Sequence, residues 1–168
     1  MNAHRFGRLG KGSVVSPLAS IHGAERIFIG KGCRIDDFVV LSAGAGGIII
    51  GDRVHIGCHS TLIGAGRIEI EDGAGISGRV SIYSSGGDFA RVGGNGSPCI
   101  PEERANARTE TVLICRGAVI GCGAVVLPGS LLEEGAVLGA LSLLTGKIMT
   151  HPRWIYAGVP ARYLGMRQ

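Results

Sequence analysis

The sequence predicts an all-β column of stacked triangular coils, and three observations predict it. Large aliphatic residues return every six positions. A small or β-branched residue follows four places after most of them. Glycine supplies 30 of the 168 residues, more than twice its usual share of about 7%. A helix would need returns at three and four, and an alternating strand returns at two; six satisfies neither. Six suits one short strand plus one corner, so that three hexads close one triangular turn. Each turn buries its apolar side only by stacking on its neighbours.

Taken in order, the coils are marked by Leu9, Val15 and Ile21, then Ile29, Ile35 and Leu41, then Ile50, Ile56 and Leu62, then Ile70, Ile76 and Ile82. After an interruption come Ile114, Ile120 and Val126, and finally Leu132, Leu138 and Leu144. Within a set the step is always six. Between sets a few residues are sometimes added, as in "SAGAGGI". The small positions are Ser13, Ala19, Cys33, Val39, Ala45, Val54, Ser60, Ala74, Val80, Ala118, Ala124, Ser130, Ala136 and Ser142. They are expected to point inward where the wall is closest. Gly, Asp or Glu often follows the aliphatic, as at Gly30, Asp36, Gly51, Glu71 and Gly121, and these residues suit corners. Six coils at a strand spacing of about 4.8 Å give a column about 29 Å tall.

Composition narrows the class. Hydrophobic residues make up 45% and aromatics 5%, so the core is aliphatic. There is no G-X-Y period and only 6 prolines, which excludes collagen, and the aliphatic content argues against disorder. The net charge of +4 comes from scattered Lys and Arg, without the basic stripe and interleaved aromatics of a nucleic-acid binder. The five cysteines form no CxxC pair, which points to reduced thiols in the cytoplasm. Cys33 falls on a core phase; Cys58, Cys99, Cys115 and Cys122 do not. The start "MNAHRFGRLG" lacks the apolar region of a signal peptide, and no run is long enough to insert in a membrane. Cytoplasmic localisation is the expectation.

Two domains are expected. Residues 1–149 form the coil column, with a protruding loop at 83–113, and residues 150–168 form a tail. The loop, "YSSGGDFARVGGNGSPCIPEERANARTET", is long enough to be functional. It leaves after the last core position of coil 4 and re-enters at Val112 or Ile114. The tail contains "YAGVPARYLG", where Pro160 sets a rigid turn and Gly158 permits close backbone approach.

The hexad beat and the "YAGVPAR" end resemble the hexapeptide-repeat acyltransferases. The resemblance covers roughly residues 9–165. It implies a left-handed parallel β-helix, although the general rule for parallel crossovers favours the right hand. It also implies a short C-terminal helix and a homotrimer, for which exposed flat faces rich in Ala, Val and Ile are suited. The acyl donor implied is acetyl-CoA, with no metal required. Ala157, Gly158, Pro160, Ala161 and Arg162 are the expected coenzyme A residues, together with Ala140, Ser142 and Lys147 of the last coil. Lys147, Arg153, Arg162 and Arg167 give this end a positive field for the phosphates. Trp154 either covers the adenine or caps the open end of the prism. "YSSGGDF", with "IPEE" and "GALSLL", is similar to a subgroup that serves O-antigen and capsule biosynthesis, which implies a sugar acceptor at Tyr83, Ser84 and Ser85.

In many O-acetyltransferases of this family a histidine stands where the loop leaves the prism and acts as general base. Here that stretch runs Tyr83 to Asp88 without one. His55 and His59 on coil 3 and Asp88 in the loop are the candidates. A histidine has the better-suited pKa, and an aspartate would need its pKa raised. An amine acceptor needs no strong base. The leading expectation is acetyl transfer to a sugar hydroxyl in lipopolysaccharide or capsule biosynthesis, and the alternative is N-acetylation of a nucleotide-linked amino sugar. Two other readings use the same prism. A γ-class carbonic anhydrase needs three histidines on one zinc, and only His55 and His59 lie close together. A catalytically inactive structural homologue would explain the missing loop histidine.

Overall fold

The computed structural model describes residues 6–87 and 107–168. Coil 1 holds β1 (Arg8–Leu9), β2 (Val14–Val15) and β3 (Ser20–His22). After a 3-10 turn at Ala24–Arg26, coil 2 holds β4 (Ile27–Ile29), β5 (Arg34–Ile35) and β6 (Val40–Ala43). Coil 3 holds β7 (Ile48–Ile50), β8 (His55–Ile56) and β9 (Thr61–Gly64), and coil 4 holds β10 (Ile68–Ile70), β11 (Gly75–Ile76) and β12 (Ser81–Tyr83). A hairpin of β13 (Ser85–Gly87) and β14 (Ala107–Thr109) leads away from the column and back. Coil 5 holds β15 (Val112–Ile114), β16 (Val119–Ile120) and β17 (Val125–Val126). Coil 6 holds β18 (Leu131–Leu132), β19 (Val137–Leu138) and β20 (Leu143–Leu144), and the tail holds β21 (Trp154–Ala157) and β22 (Arg162–Met166).

Three sheets, parallel except for β22, make the three faces. Face A runs β1-β4-β7-β10-β15-β18, face B runs β2-β5-β8-β11-β16-β19-β21-β22, and face C runs β3-β6-β9-β12-β17-β20. The predicted aliphatics stack on one another in register. On face A the column is Leu9, Ile29, Ile50, Ile70, Ile114 and Leu132. On face B it is Val15, Ile35, Ile56, Ile76, Ile120 and Leu138. From Ile29 onward these side chains are buried, whereas Leu9, on the first coil, is 48% exposed because no described strand lies above it.

The small positions from Cys33 onward are buried as expected, with one exception: Ala45 is exposed. It sits in "SAGAGGI", where the added residues bulge the chain outward, and Ala43 and Gly47 turn inward instead. From coil 2 onward, corners carry left-handed backbone at a fixed place in the turn. Between faces B and C this is Phe38, His59, Arg79, Gly123 and Leu141, with φ between 56° and 71° for each. Glycines also permit coil-on-coil contact: a Cβ on Gly30 would lie 2.4 Å from the Gly51 carbonyl oxygen.

The expected C-terminal helix is not formed. Arg162–Met166 is instead a strand, antiparallel to Trp154–Ala157. Tyr156 continues the face B column over Leu138 and is buried, as an aliphatic would be. β21 is the seventh parallel strand of face B, and β22 covers the free edge that an eighth would have used. Tyr163 packs on Trp154 with ring centroids 4.3 Å apart, and Trp154 packs against the core. Trp154 therefore helps close the end of the prism.

Replacing Ile56, fully buried in mid-column, by Ala is expected to cost about 2–5 kcal/mol of stability. Replacing Val14 by Ala, on the same face but 64% exposed, is expected to change it by no more than about 0.5 kcal/mol. Equilibrium denaturant titration measures both.

Candidate functional site

Extra residues enter the repeat at one corner only. From face A to B and from B to C the core positions are always six apart. From C to the next A the chain exceeds six at Ile21 to Ile29, Leu41 to Ile50, Leu62 to Ile70 and, by far the most, Ile82 to Ile114. Below the loop, Val126 to Leu132 returns to six. The C/A corner is therefore stepped, and the described root of the loop, β13 and β14, stands over a plain corner formed by coils 5 and 6.

The root of the loop is pinned. Ser84 is buried, and its hydroxyl donates to the Gly66 carbonyl at 2.7 Å. The Ala65 N–H donates to Ser85 Oγ at 3.0 Å, and the Glu110 N–H donates to the Ser84 carbonyl at 3.0 Å. Gly64 (φ +151°) makes this possible, since a Cβ there would fall 2.2 Å from Ser84 Oγ. Ser85, Gly86 and Gly87 then pair with Thr109, Arg108 and Ala107.

Beneath that hairpin lies a groove of about 680 Å³, a size that suits small-molecule binding. Tyr83, Ser85, Arg108 and Glu110 line its upper end, Leu127 and Pro128 its middle, and Thr145, Gly146 and Lys147 its lower end. It spans three coils, about 10 Å along the axis. Arg108 Nε donates to Glu110 Oε1. Of the expected acceptor residues, Tyr83 and Ser85 face this groove, while the Ser84 side chain is used in holding the loop root. The sequence reading passed over Arg108 and Glu110. The available signal was their place, immediately before the chain re-enters coil 5.

The expected coenzyme A residues gather mostly at the B/C corner of the lower end. Ser142 Oγ accepts from the Gly158 N–H at 3.0 Å, the Leu143 N–H donates to the Gly158 carbonyl, and the Ala161 N–H donates to the Leu143 carbonyl. Ser142 and Ala161 are buried and tie the tail to coil 6, whereas Ala140, Gly158, Pro160 and Arg162 are exposed beside them. A Cβ on Gly139 would come 2.8 Å from that of Ala157, so small side chains are required here. The corner thus offers a shallow wall of backbone that an extended thioester arm can lie against. Lys147 is separate, exposed at the C/A corner in the groove.

Of the candidate bases, the described residues His55 and His59 stand at different places on coil 3. His55 projects from face B, and its Nε2 bonds Asp36 Oδ2 at 2.9 Å. His59 stands at the B/C corner and stacks on Phe38 at 4.9 Å. Asp88 and Cys99 lie outside the described residues. Burial pushes the Asp36 carboxyl up, but hydrogen bonds and charge from His55 and Arg34 outweigh it and hold the group below 3.8. Burial, with Glu71, Glu133, Glu134 and Glu69 nearby, pushes the Cys115 thiol up to about 11, which leaves it a poor nucleophile near neutrality. Among the described residues, no three His, Cys, Asp or Glu side chains gather as a metal ion would require, and no helix is long and apolar enough to cross a membrane.

No family model matches the chain. It is 43% identical over 164 residues to an Escherichia coli dTDP-4-amino-4,6-dideoxy-D-glucose acyltransferase, covering 96% of this chain and 83% of that one. It is 29% identical to WbbJ of Escherichia coli K12, described as a lipopolysaccharide biosynthesis O-acetyl transferase, over 86% of this chain and 71% of the other. Among solved structures, AntD, an N-acyltransferase from Bacillus cereus bound to dTDP and 3-hydroxybutyryl-CoA, superposes with a TM-score of 0.88 at 32% identity, over 97% and 84% of the two chains. A variant of AntD holds dTDP-4-amino-4,6-dideoxyglucose and coenzyme A. The class these likenesses define is the acyl-CoA-dependent sugar acyltransferase built on a left-handed β-helix. The chain belongs to the hexapeptide-repeat acyltransferase family.

Asp36 supplies a pH test of its partnership with His55. A carboxyl held below its unfolded value contributes stability that is present above about pH 3.9 and is lost as pH falls through the lower folded value. Asp36→Asn is expected to remove that increment, so that the melting temperature falls less steeply on acidification than in the wild type. Thermal melts by circular dichroism across that range measure the difference.

Proposed function

We propose that the chain transfers the acetyl group of acetyl-CoA to the amino group of a nucleotide-linked amino sugar. The observation that carries this reading is the make-up of the groove: among the described residues lining it there is no histidine. A sugar hydroxyl needs its proton removed as it attacks, and enzymes usually supply a positioned base for that. An amine has a far more nucleophilic neutral form and relies mainly on being positioned against the thioester. The 43% identical relative, named for a dTDP-linked amino sugar, supports the same acceptor class. Tyr83 and Ser85 line the acceptor end, Arg108 and Lys147 serve phosphates as cations, and Ala140, Ala157, Gly158, Pro160 and Arg162 flank the acyl donor. Nucleotide-linked sugars and free thiols at Cys33, Cys58, Cys115 and Cys122 are compatible with the cytoplasm, where we place the reaction.

The proposed assembly is a homotrimer with face C toward the three-fold axis. Face C presents Val40, Ile63, Val125 and Leu143 outward, each half-buried in the single chain, a flat apolar strip that suits a symmetric contact. With three such faces around one axis, the C/A corner of each subunit meets the B/C corner of the next. That arrangement sets the groove of one subunit against the Ala140–Gly158 wall of its neighbour, with the neighbour's His59 higher on the same corner.

Acetyl-CoA with dTDP-4-amino-4,6-dideoxyglucose is expected to release coenzyme A and yield an N-acetylated product, read by thiol titration and mass spectrometry. Acetylation of dTDP-glucose in preference to the amino sugar would return the reaction to hydroxyl transfer. Val125→Glu, which places a carboxylate on face C, is expected to give a folded monomer in sedimentation analysis and to lower kcat/KM by about 100-fold or more through loss of positioning. A monomeric variant with full activity would show that one subunit holds the whole site.

A further inference from the structure

We infer that Glu110 is the residue that selects an amine over a hydroxyl, by holding the acceptor's ammonium group at the upper end of the groove; this rests on the N-acetylation reading above. The backbone of Glu110 is fixed from two sides. Its N–H donates to the Ser84 carbonyl at 3.0 Å, and its carbonyl lies where a Cβ on Gly66 would come within 2.7 Å. Its carboxylate is half-buried and lies over Gly129, which has φ +78°; a Cβ on Gly129 would fall 2.0 Å from Oε2. The space a side chain would fill is thus occupied by a carboxylate oxygen. Oε1 is taken by Arg108, Oε2 carries no hydrogen bond from a described residue, and Glu110 is one of the residues that line the groove with Tyr83 and Ser85. Ser85 Oγ accepts from Ala65, so its own proton remains to donate.

The charges of the groove match one kind of acceptor. Arg108 and Lys147 are cations for a diphosphate, and Glu110 is the single carboxylate among the described lining residues. A nucleotide-linked amino sugar carries the opposite pattern, two phosphates and one ammonium. A nucleotide-linked hydroxy sugar has no positive charge to offer, and binding it leaves Oε2 without a partner. In the transfer the ammonium passes one proton to the Glu110 carboxylate, which releases it to water. The nitrogen lone pair then forms the N–C bond to the thioester carbonyl as the C–S bond breaks. The second nitrogen proton goes to the departing thiolate, so one amide, one thiol and one proton result.

The test compares wild type, Glu110→Gln and Gly129→Ala with dTDP-4-amino-4,6-dideoxyglucose and dTDP-glucose, using acetyl-CoA as donor. Glu110→Gln keeps size and an acceptor for Arg108 but loses the charge. It is expected to lower kcat/KM for the amino sugar by about 10- to 100-fold, with KM for acetyl-CoA, dTDP affinity by calorimetry and melting temperature unchanged. Gly129→Ala, if folded, displaces the carboxylate without altering it and is expected to act in the same direction; if it does not fold, Glu110→Gln decides alone. Wild-type turnover of the amino sugar with an unchanged Glu110→Gln variant would overturn the role of Glu110 and leave the N-acetylation reading standing. Equal rises in KM for both substrates, or a lowered melting temperature, would assign Glu110 to holding the loop instead. Wild-type activity on dTDP-glucose alone would overturn both.

Discussion

The stacking of one aliphatic side chain directly over another, coil upon coil, is the constraint on which the rest of this molecule depends. Ile29, Ile50, Ile70, Ile114 and Leu132 share one line on face A, and a slip by one residue would turn each of them outward. Burying such a side chain is worth about 1.5–3 kcal/mol, so the register is held by a whole column at once. Two corners of the triangle are consequently rigid in length. The third, between faces C and A, absorbs every departure from six.

That asymmetry places the groove. Added chain at the C/A corner cannot enter the prism, which is filled by Ile and Leu, and so it must project outward. Where a long insertion sits above a coil with none, an overhang results, and the groove is the space under it. The pinning of Ser84 against Gly66, and of Glu110 against Ser84, carries the rigidity of the column into the first and last residues of the loop. Side chains there inherit fixed positions, as a site on regular structure does and a site on a free loop does not.

The fold was legible because its signal repeats. Every predicted core position, from Leu9 to Leu144, lies on a strand, and one period governs them all. Ala45 failed because counting four residues onward holds only where no residue has been added. The C-terminal strand was not legible because Arg162–Met166 has no period of its own; its conformation is set by the free edge of face B and by Tyr163 meeting Trp154. The groove was legible in part. Tyr83 and Ser85 stand where the beat stops and line it, but Glu110 is placed against its neighbour across the corner, Gly129, nineteen places along the chain, and no local pattern links the two. Ser142 was expected beside coenzyme A, and its hydroxyl is engaged by the Gly158 N–H.

The two halves of the proposed chemistry sit on different corners, and a rigid prism cannot fold one onto the other. Face C lies between them, so within one subunit the groove and the Ala140–Gly158 wall look away from each other. A loop enzyme can close on its substrates by moving; in the proposed trimer the prism closes on them by adding a second copy. This makes the flat apolar strip on face C part of catalysis in the proposed trimer, not merely of assembly. It also bears on the missing histidine. When two rigid walls set the distance between amine and thioester, positioning supplies much of the acceleration. The remaining demand is to hold an ammonium in place and to let a proton leave, and a carboxylate meets it.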